Sequence, residues 1–273
     1  MKKLLAQRGG TIGLLIVALV LAVALLGPFL APHSFDATDL LNAWAPPDAI
    51  NPLGTDKLGR DIASRLIVGA QVSLTVGLSV VLITLVVGVS AGMLAGFLGG
   101  MVDRLIMGTV DIVLAFPEVV LAILLAAVLG PGIVTVIAAL SLVWWPGIAR
   151  LTRSLVLVQR EEAYVQAAIV CGSTTAKILW RHILPNISGP LLVRASVGIG
   201  FIIMAEATLS FLGLGVQEPV PSWGGMIRDG LPVLRSDPML AVSSSVVIGL
   251  TIIGFNLLGD GLRDALDPRL GPR

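Results

Sequence analysis

The chain has 273 residues with 18 Lys and Arg against 17 Asp and Glu, and it is 56% hydrophobic and only 13% charged. A soluble domain carries about 25% charged residues, so this composition excludes a soluble globular protein and points to a membrane protein. With a formal net charge of +1, no nucleic-acid partner is expected.

Residues 11–31 form the first apolar run, behind Lys2 and Lys3. The run exceeds the ~7–15 residues of a signal-peptide core, and Pro32 after Ala31 is a poor cleavage context, so it reads as an uncleaved first helix. Residues 55–70 then put Leu58, Ile62 and Leu66 on one helical face, with Lys57, Arg60, Asp61 and Ser64 largely elsewhere, a pattern suited to the outer interface. In the second run, 72–99, Gly88, Gly92 and Gly96, with Gly100 after them, recur at every fourth residue and line one face. Such a stripe lets another helix approach closely, and it fits a sliding seam between moving helices as well as static packing.

The third and fourth runs, 112–129 and 133–149, are short and separated only by Gly130-Pro131-Gly132. This predicts a tight helical hairpin that turns at the membrane surface, with a merged re-entrant pair as the alternative. Asp111 stands at the start of the third run as an interfacial anchor. The fifth and sixth runs are 190–214 and 239–258, and six spanning helices are expected in all. Glu118 in the third run and Glu206 in the fifth are the acids deepest in apolar sequence, where a charge costs at least ~2.5–3.5 kcal/mol. Each is expected to point into a translocation path or against a partner helix, or to be protonated. Between runs five and six, Pro219, Pro221, Trp223 and Gly224 mark an ordered external loop, with Trp223 as an interface anchor.

The long polar interruption is "EEAYVQAAIVCGSTTAKILWRHILPN", residues 161–186. Residues 161–171 favour a helix, Gly172 is suited to a left-handed helix end, and Ser173, Thr174 or Thr175 can cap the helix that follows. Two short helices at an angle result, the second ended by Pro185. With Ala167 and Ala168 before the bend, the pair makes a knob that another protein's groove can accept. The same residues also fit an amphipathic loop lying on the membrane. Cys171, the single cysteine, reads as a small buried residue and excludes a disulfide or a Cys-based metal site within the chain.

Even-numbered spans put both termini on one side, and the positive-inside rule selects the cytoplasm. That placement assigns it Lys2, Lys3, Arg8, Arg104, Arg150, Arg153, Arg160, Lys177, Arg181, Arg194, Arg263, Arg269 and Arg273, thirteen of the 18 cationic residues. Lys57, Arg60, Arg65, Arg228 and Arg235 lie outside, diluted by acids in the same loops. The chain divides into residues 1–70 (tail, first helix and external amphipathic segment), a transmembrane domain over 71–260 containing a loop at 150–188, and a cytoplasmic tail over 261–273.

Gln166-Ala167-Ala168, Gly172 and Leu184-Pro185 fall on the spacing of the EAA loop carried by transmembrane subunits of ATP-binding-cassette importers, which this chain resembles. Two positions depart, with Gln166 in place of the Glu and His182 in place of the Ile. "NPLGTDKLGRDIASRLIVGAQVSL" (51–74), "SFLGLGVQEPVPSWG" (210–224) and "NLLGDGLRDALDPR" (256–269) are similar to signatures of the dipeptide, oligopeptide and nickel permease subfamily, in particular its second permease subunit. Asn51, Gln71 and Glu218 replace the usual His, Arg and Pro. The resemblance covers roughly residues 51–270.

The resemblance implies an all-α, six-span, MetI-like permease fold of the type I importers, in a bacterial plasma (inner) membrane. It implies a cytoplasmic coupling loop in which Gln166, Ala167, Ala168, Gly172, Ser173, Leu184 and Pro185 meet a separate ATPase. Its implied partners are a homologous permease, two ATPase subunits and an extracytoplasmic substrate-binding protein. No cofactor is expected on this chain, while ATP and Mg would be used by the ATPases. The residues agree, since there is no G-x-x-x-x-G-K-[ST] phosphate loop and only four Lys. Candidate path or subunit-interface residues are Glu118, Glu206, Gly88, Gly92 and Gly96. Other function classes are a self-sufficient secondary transporter or channel using Glu118 and Glu206, and a membrane-embedded enzyme. The enzyme reading lacks an H-E-x-x-H motif and an intramembrane Cys, and His33 and His182 lie outside the runs.

Overall fold

The computed structural model describes residues 8–266, and Lys2, Lys3, Arg269 and Arg273 lie outside the described residues. The chain is all helical: α1 (Arg8–Leu30), α2 (Ile62–Leu98), α3 (Gly100–Leu114), α4 (Glu118–Leu129), α5 (Ile133–Arg160), α6 (Ala163–Val170), α7 (Thr175–Phe211), α8 (Trp223–Gly230) and α9 (Met239–Leu266). Five helices, α1, α2, α5, α7 and α9, are long and apolar enough to cross a membrane.

The pair α3 and α4 has the length and composition of a sixth, broken span or of a re-entrant loop, and it is bent by 88° at the break between them. Pro117 is the cause. It has no N–H to donate, and it disfavours helical geometry at Phe116. The third run therefore does not form a straight helix over 112–129. The 12 residues of α4 reach only about 18 Å, so the crossing needs α3 as well. The hairpin turn at Gly130-Pro131-Gly132 is present, with α4 ending at Leu129 and α5 starting at Ile133.

Close approaches define two ends of the bundle. Near one end, Gly13 of α1 faces Leu257 and Leu258 of α9, and Gly189 of α7 faces Leu266. Both described termini and the 161–186 loop therefore share that end. At the other end, Gly27 faces Ile67, Gly224 faces Ala207, and residues 31–61 and 212–238 are joined by Lys57 and Arg60 to Glu218 and by Lys57 to Asp229.

Helix α2 starts at Ile62, capped by Asp61, whose Oδ2 accepts the Ser64 N–H at 2.8 Å. Residues 55–61 are thus a turn rather than helix, which corrects the amphipathic segment expected over 55–70. Ile62 and Leu66 are buried in the bundle instead of lying on a membrane surface. The glycine stripe packs α2 on α5: a Cβ at Gly88 would come within 2.7 Å of Ile148 Cβ, at Gly92 within 2.4 Å of the Ala149 carbonyl, and at Gly96 within 2.9 Å of Val156 Cβ. Gly100 leaves the stripe. It lies beyond the end of α2 with φ +57, and nothing is within 4 Å of its Cβ position.

Candidate functional site

The 161–186 loop is built from local signals. Helix α6 closes with Cys171 N–H to the Ala167 carbonyl at 2.9 Å and Gly172 N–H to the Ile169 carbonyl at 2.9 Å, and Ser173 N–H reaches the Ala168 carbonyl at 3.0 Å. Gly172 has φ +72, the left-handed conformation in which a helix end satisfies its last carbonyls. Thr174, from the expected Ser/Thr group, caps α7 by accepting the Lys177 N–H.

The expected stop at Pro185 is not there. Helix α7 runs from Thr175 to Phe211 through a π-helical stretch, Ile178–Ile183, in which the Leu184 N–H reaches the Leu179 carbonyl. That wider turn absorbs the missing N–H of Pro185 without ending the helix.

The loop has an apolar underside and an exposed crown. Val165, Ala168, Ile178, Leu179 and Ile183 are buried against Met93, Val156, Ile187 and Leu191, a cluster distinct from the main core. Val170 is 85% exposed, and Gln166, Ala167, Cys171 and Gly172 are exposed beside it, with Ser173 half-buried. Cys171 is therefore not the buried residue expected from sequence. Leu184 is half-buried and Pro185 exposed. A groove of about 480 Å3 runs between the two arms, lined by Tyr164, Ala167, Cys171, Lys177, Arg181 and His182 among others. Gln166 explains its own departure from the family pattern. Its Nε2 donates to the Arg160 carbonyl at 2.9 Å, a bond an ionised Glu cannot make, and so ties α6 to the end of α5.

The two intramembrane acids separate. Glu118 is exposed at the first turn of α4, just past the bend. Glu206 is fully enclosed, at 0% exposure, and accepts hydrogen bonds from Ser73 Oγ of α2 at 3.0 Å and Ser210 Oγ at 2.8 Å. The partner helix is thus α2 of the same chain, and the side chain does not reach the surface. Glu206→Gln keeps an acceptor for one serine and a donor for the other. Transport by that variant is expected to stay within about twofold of wild type, whereas Glu206→Leu strands both hydroxyls at roughly 1–3 kcal/mol each; an uptake assay in membrane vesicles measures both. Asp111 pairs with Arg150, Nη2 to Oδ1 at 2.5 Å, and Asp103 takes Arg153 in a two-pronged pair at 2.5 and 2.6 Å. These pairs, which fasten α3 to α5, have no sequence-local signal.

At the other end, Asp56, Arg60 and Arg65, each at most 3% exposed, form a buried ionic cluster: Arg60 Nε is 2.7 Å from Asp56 Oδ2 and Arg65 Nε is 3.4 Å from it. Sequence reading placed these arginines at a surface, because the turn over 55–61 that folds Arg60 back onto Asp56 carries no periodic signal. Trp223 is also buried. Its indole N–H donates to the Leu66 carbonyl at 3.0 Å and the ring covers Gly69, so it is a core residue and not an interface anchor.

Glu218 joins the cluster from the 212–222 loop, 2.8 Å from Lys57. The Lys57 hydrogen bond holds the Glu218 carboxyl down at about 2, so its contribution is complete above the ordinary value of 4.5 and fades as pH falls from there toward about 2. A thermal-unfolding midpoint that drops between about pH 5 and pH 3, with a smaller drop in Glu218→Gln, is the expected result.

A family model described as "binding-protein-dependent transport system inner membrane component" matches residues 88–272, and one described as "N-terminal TM domain of oligopeptide transport permease C" matches residues 1–47. The dipeptide transport system permease protein DppC of Alkalihalophilus pseudofirmus is 40% identical over 269 residues, covering 98% of this chain and 88% of that protein. The oligopeptide transport system permease protein OppC of Bacillus subtilis is 40% identical, covering 95% of this chain and 85% of that protein. The glutathione transport system permease protein GsiD of Shigella flexneri is 45% identical, covering 94% and 85%. Among solved structures, a chain of the MetNI methionine ABC transporter in inward-facing conformations superposes with a TM-score of 0.61 at 17% identity, covering 74% of this chain and 96% of that one.

Proposed function

Because the chain belongs to the family of binding-protein-dependent transport system inner membrane components and is a permease subunit of an ATP-binding-cassette importer, we propose that its 161–185 loop is the lever through which separate ATPase subunits move the six-span bundle. One observation carries this reading: the loop presents an exposed crown, yet its underside is locked by a buried apolar cluster to α2, α5 and α7. A push on the crown is therefore transmitted to three spans rather than absorbed locally.

In this reading, two ATPases bind ATP and Mg, close, and press the crowns of this subunit and of a homologous permease. The pair rotates between outward-open and inward-open states, and hydrolysis resets it. The loop end faces the cytoplasm, consistent with Arg104, Arg150, Arg153, Arg160, Lys177 and Arg181 gathered there. The opposite end, with its ionic cluster, receives cargo from an extracytoplasmic binding protein. The names of the relatives, which include dipeptide, oligopeptide and glutathione permeases, support short peptides as the cargo class.

The test is purification of the tagged full chain from its native membrane in mild detergent, with identification of what accompanies it. Recovery of a second permease and one or two ATPases, with peptide-stimulated ATP hydrolysis once the binding protein is added, is expected. A lone chain that transports in liposomes under an ion gradient would contradict the proposal.

A further inference from the structure

A cleft of about 760 Å3 opens at the loop end between the start of α7, Leu151 of α5 and the end of α9. Its walls include Leu192, Val193, Val197 and Leu266, with two cations, Arg194 and Arg263, and among the described residues no acidic one lines it. Among the described residues, neither arginine has a hydrogen-bond or ion-pair partner; Arg104 and Arg181 near the same end also lack one but are exposed, Arg194 is half-buried, and Arg150, Arg153 and Arg160 are engaged.

Arg194 lies nine residues beyond Pro185 in α7, about 14 Å along the helix. It also borders a small pocket with Trp144 and Ile148, so its stem sits within the bundle. An unpaired guanidinium held inside a spanning helix is costly and calls for an anion.

Two features of the cleft select that anion. The planar forks of two arginines match the oxygens of a phosphate, and the apolar walls match hydrocarbon. A free peptide would bring an ammonium group as well, for which the cleft has no carboxylate. From these we infer that the cleft binds the phosphate headgroup of an anionic phospholipid from the leaflet at the loop end, with acyl chain along Leu192, Val193 and Leu266. Basic pockets between spanning helices are known to hold such headgroups. A lipid seated here bridges α7 and α9 next to the root of the loop, so its binding adds to the rigidity of that root.

The experiment is native mass spectrometry of the full chain with whatever subunits accompany it. The detergent-solubilised protein is titrated with phosphatidylglycerol, with phosphatidylcholine of the same chains, with inorganic phosphate and with a dipeptide. Retention of one phosphatidylglycerol that phosphatidylcholine does not replace is expected, weakened about fivefold by Arg194→Gln and by Arg263→Gln and preserved by Arg263→Lys. Gel filtration checks assembly. If Arg194→Gln fails to assemble, the exposed Arg263 carries the same comparison. Equal retention of the two lipids, or phosphatidylglycerol binding untouched by the variants, would overturn the inference. Displacement by inorganic phosphate would reassign the cleft to a free anion, and displacement by the dipeptide would reassign it to cargo.

Discussion

Gly172→Val is expected to cut uptake by about tenfold or more while ATP hydrolysis continues and the protein remains folded. The reason is conformational. Gly172 sits at φ +72, where an L residue pays roughly 1–2 kcal/mol and a β-branched one more. Nothing lies within 4 Å of its Cβ position, so valine does not collide with the bundle; it turns α6 relative to the start of α7 and re-aims the crown. Gly172→Asn provides the control, because asparagine tolerates the left-handed region. Uptake within about twofold of wild type in the asparagine variant, with loss in the valine variant, would assign the effect to backbone geometry. Equal uptake in both would remove the bend from the mechanism.

The second large effect lies at the opposite end. Arg60→Ala removes the cation held 2.7 Å from Asp56 when both side chains are 2% exposed, leaving a buried carboxylate with only Arg65 beside it. Breaking a buried pair in this way costs about 3–5 kcal/mol, enough to deplete folded protein in the membrane. Asp56→Asn is expected to be comparably harmful, since it leaves Arg60 with only the half-exposed Glu218, 3.6 Å from its Nη2, and, among the described residues, Arg65 with no ion-pair partner. Its amide oxygen can still accept the Leu58 and Arg60 N–H groups that Asp56 Oδ1 takes at 2.9 and 3.0 Å. The combination of Asp56→Asn with Arg60→Met should therefore cost less than the two singles together, measured as thermal-unfolding midpoints in detergent. Strict additivity would show that the pair is not coupled.

What sequence could and could not reveal follows the range of each interaction. The bend at Gly172 and the cap at Thr174 are set within a few residues, so both were legible. Five of the apolar runs were legible as well, because a straight crossing needs its own ~20-residue stretch, whereas the third, 112–129, is split at Pro117 between the bent helices α3 and α4. Trp223 was misread because its partners, Leu66 and Gly69, are more than 150 positions away. Glu206 was expected to face a translocation path or a partner helix, or to be protonated, and Ser73, which identifies a partner helix as α2, is 133 residues distant. Pro185 and Pro117 are the same residue type with opposite outcomes. A π-helical turn precedes Pro185 and the helix continues, whereas no wider turn accommodates Pro117 and the chain breaks between α3 and α4 with an 88° bend. Local propensity marks both positions as places of disturbance, and only the surrounding packing decides the result.

The claim that the crown of the 161–185 loop is what the ATPases grip can be tested on its own cysteine. Cys171 is the single cysteine of the chain and is exposed beside Gly172. The rate of maleimide attachment to Cys171 should be fast in the isolated chain and slowed by about tenfold or more in the assembled importer, where the crown is buried in a partner's groove. It should change again when ATP closes the ATPases. A Cys171 labelled equally fast in the isolated chain and in the assembled importer, with and without ATP, would show that the crown is not the contact and would contradict the account.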